Sequence, residues 1–424
     1  MDYTENNINK ETFCPAPWIE THISVSGNVM PCCIYTENKP FGNVKKDSLS
    51  NIINGSVANN TRSELLNGIK HDGCSKCWTD EEKFGSSYRL DHLKLWEKES
   101  KLAVENTNED YSMSPITISR LDLRFDNKCN LKCRICSPLY STSWHADVKQ
   151  LAEEFGIHMQ KPSTPYSVSV SDNLFQELLN MLPNVREIFF AGGEPIIQDR
   201  HYDILQYAID NNLSDKIQLT YNTNFSKLTY KKHNILDYWK HFQSINIGAS
   251  LDDSKKRGEY HRTNMNWDKV VDNRKAINQL SNTIFSLQPT LSIFNVFHIL
   301  EFLEEWIENN LLEVTKDYGL FFNMLDYPSH LDIKNLPDYY KNKVTQKYEE
   351  FIEKHSEDIR YKYLTPQLSK VLVTVKEKRT APVAKWFKDF TFNIKSVDKV
   401  RGEDFYDIFT EYKDLSTITS TETL

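Results

Sequence analysis

Residues 116–136 read ITISRLDLRFDNKCNLKCRIC, a largely alternating apolar stretch followed by three closely spaced cysteines. Alternation of apolar and polar side chains marks a half-buried strand. The run Cys129-Asn130-Leu131-Lys132-Cys133-Arg134-Ile135-Cys136 therefore lies on the loop that leaves a strand. Three thiolates on one tight loop can hold three irons of a four-iron four-sulfur cluster, and the fourth iron, lacking a protein thiolate, keeps a position open for a ligand. An open position is where chemistry happens, as at catalytic zinc. Zinc held with a distant fourth ligand is the competing reading of the same spacing.

Downstream of this loop, strand and helix patterns alternate. Strand patterns cover 116–125, 185–191, 217–223, 245–251, 284–293 and 320–325, with Pro289 inside the fifth. Between them, 199–211, 267–280 and 297–309 carry apolar residues at three-to-four spacing, as amphipathic helices do. Repeated strand-helix units predict an α/β fold with a parallel sheet and right-handed crossovers, whose ligands sit at the carboxyl ends of the strands. The second strand runs into Gly192-Gly193-Glu194-Pro195. Two glycines permit unusual backbone angles and close approach of a ligand, and a carboxylate just beyond them can accept hydrogen bonds from an ammonium group. In isolation such a turn is an ordinary strand exit. The third strand ends in Asn222-Thr223-Asn224 and the fourth in Gly248-Ala249-Ser250-Leu251-Asp252, with Tyr260-His261-Arg262 following. Polar turn residues and a surface arginine are the bland alternatives there. Ser292, Asn295, Asn323 and Asp326, at the last two strand ends, are candidates for lining a cavity.

A three-cysteine loop after the first strand and a GGEP turn after the second resemble the radical S-adenosylmethionine (radical SAM) superfamily. Ile135 stands where many loops of that family carry an aromatic residue. The resemblance implies a partial (β/α)6 TIM-like barrel over residues 101–330 and a four-iron cluster on Cys129, Cys133 and Cys136. It also implies S-adenosylmethionine chelated at the open iron through its amino and carboxylate groups. Gly192 and Gly193 would contact the amino group, with Glu194 near it and Pro195 fixing the turn. Asn222 would reach the methionine or ribose part, while Ser250 and Arg262 would bind the carboxylate and ribose. An external low-potential electron donor is implied as partner.

The other cysteines, Cys14, Cys32, Cys33, Cys74 and Cys77, all precede residue 80. Thr21, Ile23 and Val25 alternate, Ser26-Gly27-Asn28 turns the chain, and Val29-Met30 begins a return. That pattern predicts a hairpin within 18–30, which would make Cys14 and Cys32 neighbours. Helical patterns at 47–54 and 56–70 lead to Gly73-Cys74-Ser75-Lys76-Cys77, a CxxC turn able to aim both sulfurs at one metal. Four thiolates also suit structural zinc. Cys14, Gly27, Cys32 and a single following CxxC are similar to the auxiliary-cluster modules of radical SAM enzymes called SPASM and twitch domains, in the one-cluster twitch form. The similarity implies that residues 1–100 form such a module ahead of the barrel. Cys14, Cys32, Cys74 and Cys77 would surround a second four-iron four-sulfur cluster, with Cys33 an unliganded neighbour or a replacement for Cys32.

At 424 residues the chain can hold two or three domains. A net charge of -8 with only short, scattered basic runs at 231–232, 255–257 and 376–379 gives no footprint for nucleic acid. No apolar run is long enough to cross a bilayer, and the polar start at 1–10 is no signal-peptide core; a soluble, cytoplasmic protein is expected. Eight cysteines are too sparse for a disulfide scaffold and suit a reducing compartment. Residues 331–424 carry helical patterns such as 337–355, and their aromatics Trp386, Phe387, Phe390, Phe392, Phe405 and Tyr406 read as core packing in a helical extension without chemistry of its own. The parts together imply an enzyme that cleaves S-adenosylmethionine to a 5'-deoxyadenosyl radical and takes hydrogen from a peptide or small metabolite. An auxiliary cluster accepting an electron would make the change oxidative. The alternative is a non-catalytic iron-sulfur or zinc protein that relays electrons or scaffolds partners. Neither the substrate nor the oligomeric state is written in these motifs.

Overall fold

A computed structural model describes residues 11–160 and 171–417; the polar start at 1–10 lies outside them. The chain divides into two compact units. One holds Met1–Asn127, Thr164–Tyr221 and Asp237–Ile245, the other Lys128–Ser163, Asn222–Leu236 and Asn246–Leu424. In chain order the strands are β1 (Glu20–Ile23), β2 (Asn28–Met30), β3 (Gly42–Asn43), β4 (Arg120–Leu123), β5 (Lys132–Cys133), β6 (Glu187–Phe190) and β7 (Gln218–Thr223). They continue with β8 (Thr229–Tyr230), β9 (His233–Asn234), β10 (Ser244–Ala249), β11 (Arg262–Thr263), β12 (Thr283–Leu287), β13 (Thr290–Leu291) and β14 (Asn323–Met324). Strands alternating with helices around a parallel sheet make the fold α/β, as the periodicity predicts.

In the first unit β7, β6, β4 and β1 lie side by side in parallel, and β2 and β3 continue antiparallel beyond β1. The register aligns Glu20, Arg120, Glu187 and Gln218 in one row and His22, Asp122, Phe189 and Thr220 in another. The alternate residues Leu121, Leu123, Ile188, Phe190, Leu219 and Tyr221 are buried, and Tyr221 Oη lies 2.8 Å from Nε2 of His201 on the helix Asp199–Asp210. Every residue of β1 and β4 is buried, as in sheets covered on both faces. Charges on such strands must be paired. Arg120 accordingly sits between Glu20 and Glu187, with Nε 2.9 Å from Glu187 Oε2, and His92 Nε2 lies 2.9 Å from Glu20 Oε2.

The front hairpin forms as predicted, pairing His22 with Met30 and Ile23 with Val29 around Gly27 at φ +89°. Its first strand starts only at Glu20, because Pro15 and Pro17 open a short helix, Ala16–Ile19; proline suits a first helical turn, where no donor is needed. Beyond the expectation, β1 is itself a strand of the parallel sheet, paired with β4 from Glu20↔Arg120 to Ile23↔Leu123.

In the second unit β5 and β11 pair antiparallel, Cys133 opposite Arg262. The fifth strand pattern divides into β12 and β13 on either side of Pro289, whose nitrogen has no hydrogen to give to a ladder. The sixth shrinks to a bridge at Leu320, opposite Leu287, and to β14, parallel to β13. The C-terminal stretch is helical, with long helices Asp338–Lys354, Thr365–Lys376 and Val383–Arg401. Trp386, Phe390 and Phe405 are core residues as expected, while Phe392 is exposed. Among the described residues no helix is long and apolar enough to cross a membrane.

Candidate cofactor sites

The front cysteines meet. In the first unit a small, mostly apolar cavity is lined by Cys14, Cys32, Cys74 and Cys77 together with Ile34, Tyr35, Tyr88 and Arg89; Cys33 is not among its lining residues. The local chain explains how. Cys74 caps the helix Ser75–Phe84, so Cys77 falls in its first turn, while Cys14 lies just ahead of the short helix Ala16–Ile19 that leads into β1 and Cys32 two residues beyond the end of β2. Gly73 is required because Tyr35 packs onto it: a methyl there would stand 2.4 Å from Tyr35 Cζ. Burial, then the Cys74 and Cys77 charges, push the Cys14 thiol well up. Burial followed by the Cys77 charge takes Cys74 to about 12, against the opposing pull of Arg89. Four thiols that resist ionising together are a donor set for a strongly positive group. A cluster with one thiolate per iron fits their number and their apolar cavity. Tyr35, Tyr88 and Arg89 escape a reading of the sequence; Gly73, directly before the CxxC, is the one local signal that it offers.

The glycine turn also lies in the first unit. Gly192 has φ +110°, and a Cβ there would stand 3.0 Å from Asp126 O and 3.4 Å from Arg124 Cβ. Gly193 N donates to Asp126 O at 3.0 Å. Glu194 is buried and one of its oxygens accepts from Ile196 N at 3.2 Å, while Pro195 begins a single 3-10 turn. Next to the turn, Arg124 pairs with Asp122, which lies 2.8 Å from His22 Nδ1. Burial would raise the Asp122 carboxyl, but His22 and Arg124 overturn that and hold it below the usual carboxylate range.

The three-cysteine loop belongs to the second unit, where donors approach its sulfurs. Asn224 Nδ2 lies 3.7 Å from Cys129 Sγ and 3.1 Å from Asn130 Oδ1. Arg262 Nη1 lies 3.5 Å from Cys133 Sγ, and Cys136 N donates to Cys133 O at 3.0 Å. Burial, followed by the neighbouring Cys133 charge, pushes the Cys136 thiol up to about 12. Three cysteines on one turn, with an arginine and an amide directed at the thiols, fit a cluster whose sulfurs take hydrogen bonds. Among the described residues no three His, Cys, Asp or Glu side chains are drawn around a single-ion position.

The remaining predicted residues have definite places. Arg262 is buried, its Nε 2.8 Å from Asp252 Oδ2, so its guanidinium is shared between that carboxylate and Cys133. Asn222 lies beside Gly248, where a Cβ would stand 2.9 Å from Asn222 Oδ1 and 2.4 Å from Gln288 Nε2. Ser250 N donates to Thr223 O at 2.8 Å. Ser292 and Asn295, expected to line a cavity, are fully buried and support loops instead: Asn295 Oδ1 accepts from Ser292 N at 2.9 Å and its Nδ2 donates to Asp252 O at 3.0 Å. Asn323 and Asp326 are exposed.

Residues 14–78 match the SPASM family, described as an iron-sulfur cluster-binding domain. No curated protein matches the chain. Among solved structures, anSMEcpe with bound AdoMet and Cp18Cys peptide is 15% identical over 57% of this chain and 62% of its own, with a TM-score of 0.39. Streptococcus suis SuiB bound to S-adenosylmethionine is 14% identical over 69% of this chain and 61% of its own, with a TM-score of 0.34. SuiB bound to precursor peptide SuiA is 13% identical over 81% and 71%, with a TM-score of 0.35. The chain thus spans less than two thirds of the anSMEcpe chain it aligns with.

Proposed function

We propose that this chain, which carries a match to an iron-sulfur cluster-binding domain at 14–78, is a radical S-adenosylmethionine enzyme with one auxiliary cluster. Its barrel would be a partial (β/α)6 barrel at 101–330, following the front module at 1–100 and preceding the helical extension from 331. The observation that carries the reading is the division of the cysteines. Four line one cavity within the matched residues, and of the other four, Cys33 aside, Cys129, Cys133 and Cys136 form a separate loop with its own donors to sulfur, one thiolate short of filling a four-iron cluster.

When bound at the open iron, S-adenosylmethionine would supply the hard chemistry, a one-electron cleavage to methionine and a 5'-deoxyadenosyl radical that takes hydrogen from a peptide or small metabolite. The chain's own residues have narrower tasks. Gly192, at positive φ and packed against Asp126 O, keeps the turn tight where an amino group would bind, and Glu194 would supply negative charge beside it. Pro195 holds the turn. Arg262 is held by Asp252 against Cys133, so it stabilises the thiolate form of that ligand, and its reach to a bound carboxylate or ribose comes second to that. Asn224 does the same for Cys129. Asn222 and Ser250 offer polar groups at neighbouring strand ends. Cys14, Cys32, Cys74 and Cys77, with no free iron position, would hold an electron acceptor rather than a substrate site.

Anaerobically reconstituted, reduced protein should form 5'-deoxyadenosine from S-adenosylmethionine, and Cys133→Ala should abolish the product while retaining the front iron. Nucleoside at background levels from wild type with both clusters verified spectroscopically would overturn the proposal.

A further inference from the structure

The cysteine loop alternates thiols with cations, and the C-terminal stretch supplies anions to match them. Lys132 and Arg134 flank Cys133. Arg134 is buried, and its Nη2 lies 2.5 Å from Asp398 Oδ1 and also pairs with Glu403. Its guanidinium stands 3.6 Å from the ring centroid of Tyr260, whose hydroxyl donates to the same Asp398 oxygen at 2.8 Å. Lys132 Nζ lies 2.8 Å from Asp147 Oδ1, and Arg401 Nε donates to the other Asp147 oxygen at 2.7 Å. Arg401 in turn covers the Trp144 ring at 4.3 Å, and Trp144 Nε1 donates to Cys133 O at 3.1 Å. With Arg262 and Asp252 added, four cations around the loop meet four carboxylates.

Stability does not explain this arrangement. Buried ion pairs are often no more stabilising than apolar side chains of the same volume, and the helix Val383–Arg401 already has Trp386 and Phe390 to anchor it. Charge balance does have a consequence for a redox centre. An unpaired cation beside a cluster favours its reduced, more negative state and raises its potential, whereas a neutralised one leaves the potential low.

We propose that Asp398 and Glu403 are positioning residues of the three-cysteine loop: by neutralising Arg134 they keep the cluster on Cys129, Cys133 and Cys136 strongly reducing, so the C-terminal stretch is part of the redox site. This rests on the function proposed above.

The test is a potentiometric titration of the full-length, reconstituted protein followed by electron paramagnetic resonance. The signal missing from the Cys129→Ala/Cys133→Ala/Cys136→Ala variant is assigned to this cluster. Glu403→Gln removes an anion and should raise the midpoint. At the wild-type midpoint the reduced-to-oxidised ratio should rise about tenfold, equivalent to ~59 mV for one electron. Arg134→Gln removes the cation that both carboxylates share and should shift the midpoint the other way, while Arg134→Lys keeps the charge and should stay near wild type. Shifts of the same sign in Glu403→Gln and Arg134→Gln, or an unmoved midpoint in Glu403→Gln, would overturn the inference. So would Arg134→Lys behaving like Arg134→Gln, since geometry rather than charge would then be responsible. Should Arg134→Gln lose the cluster, Glu403→Gln and Arg134→Lys still decide. A wild-type protein without the cysteine-dependent signal would instead sink the parent reading.

Discussion

Replacing Gly73 by alanine would place a methyl carbon 2.4 Å from Tyr35 Cζ, 2.5 Å from Cε2 and 2.7 Å from Oη. Carbon atoms rest at roughly 3.5–4.0 Å, so the ring would have to withdraw by about 1 Å. It is not free to do so. Tyr35 Oη lies 2.7 Å from His71 Nε2, its ring stacks on His71 at 5.7 Å and meets the edge of Phe41 at 5.8 Å. Overpacking of this kind costs about 1–3 kcal/mol, and losing the Tyr35–His71 hydrogen bond adds about 1 kcal/mol. Because Cys74 follows directly, the relaxation should displace a wall of the cysteine cavity, and reconstituted Gly73→Ala should lack about four irons per chain, the complement of one four-iron cluster. A double-mutant cycle isolates the cause. Adding Tyr35→Leu should make room for the methyl, so the double variant should be less destabilised in urea than the sum of the singles by about 1–3 kcal/mol. Additive losses, or full iron content in Gly73→Ala, would refute the packing argument.

Two further outcomes follow from the geometry. Cys32→Ser should lose about four irons per chain and Cys33→Ser should lose none, because Cys32 lines the cavity and Cys33 does not; iron and sulfide assays decide, and equal loss in both would show the wrong ligand. Burial holds the His261 imidazole down to about 4, with Asp252 pulling against it. The unfolded chain therefore takes up that proton first, at about 6.5. The resulting stability is complete above about 6.5 and drains as pH falls toward about 4, by up to ~1.4 kcal/mol per pH unit. Urea midpoints measured across that window should fall less steeply in His261→Phe, and an unchanged slope would count against the assignment.

The features legible in the sequence are those whose partners are close along the chain. Cys129, Cys133 and Cys136 share one turn, Cys74 and Cys77 lie one helical turn apart, and Gly27 reverses the hairpin that brings Cys32 back toward Cys14. Pro289 announces a break in the fifth strand pattern, since a ladder needs the hydrogen it lacks. What escaped depends on contacts across long separations. Nothing in residues 18–30 says that β1 will pair with β4 about a hundred residues later, because strand patterns record which face is buried and not which neighbour is chosen. Ser292 and Asn295 look like polar strand-end residues until their hydrogen bonds to one another and to Asp252 are seen.

By itself the sequence determined the cysteine sets, the glycine turn and the α/β alternation, because spacing and periodicity are local properties. Tertiary structure decided which charges surround those cysteines. Arg262 could bind many anions, but folding commits it to Asp252 and Cys133. Arg134 is one basic residue in a loop until Asp398 and Glu403, more than 260 positions away, come to rest against it. Burying a charge demands a partner, and only the folded chain names it.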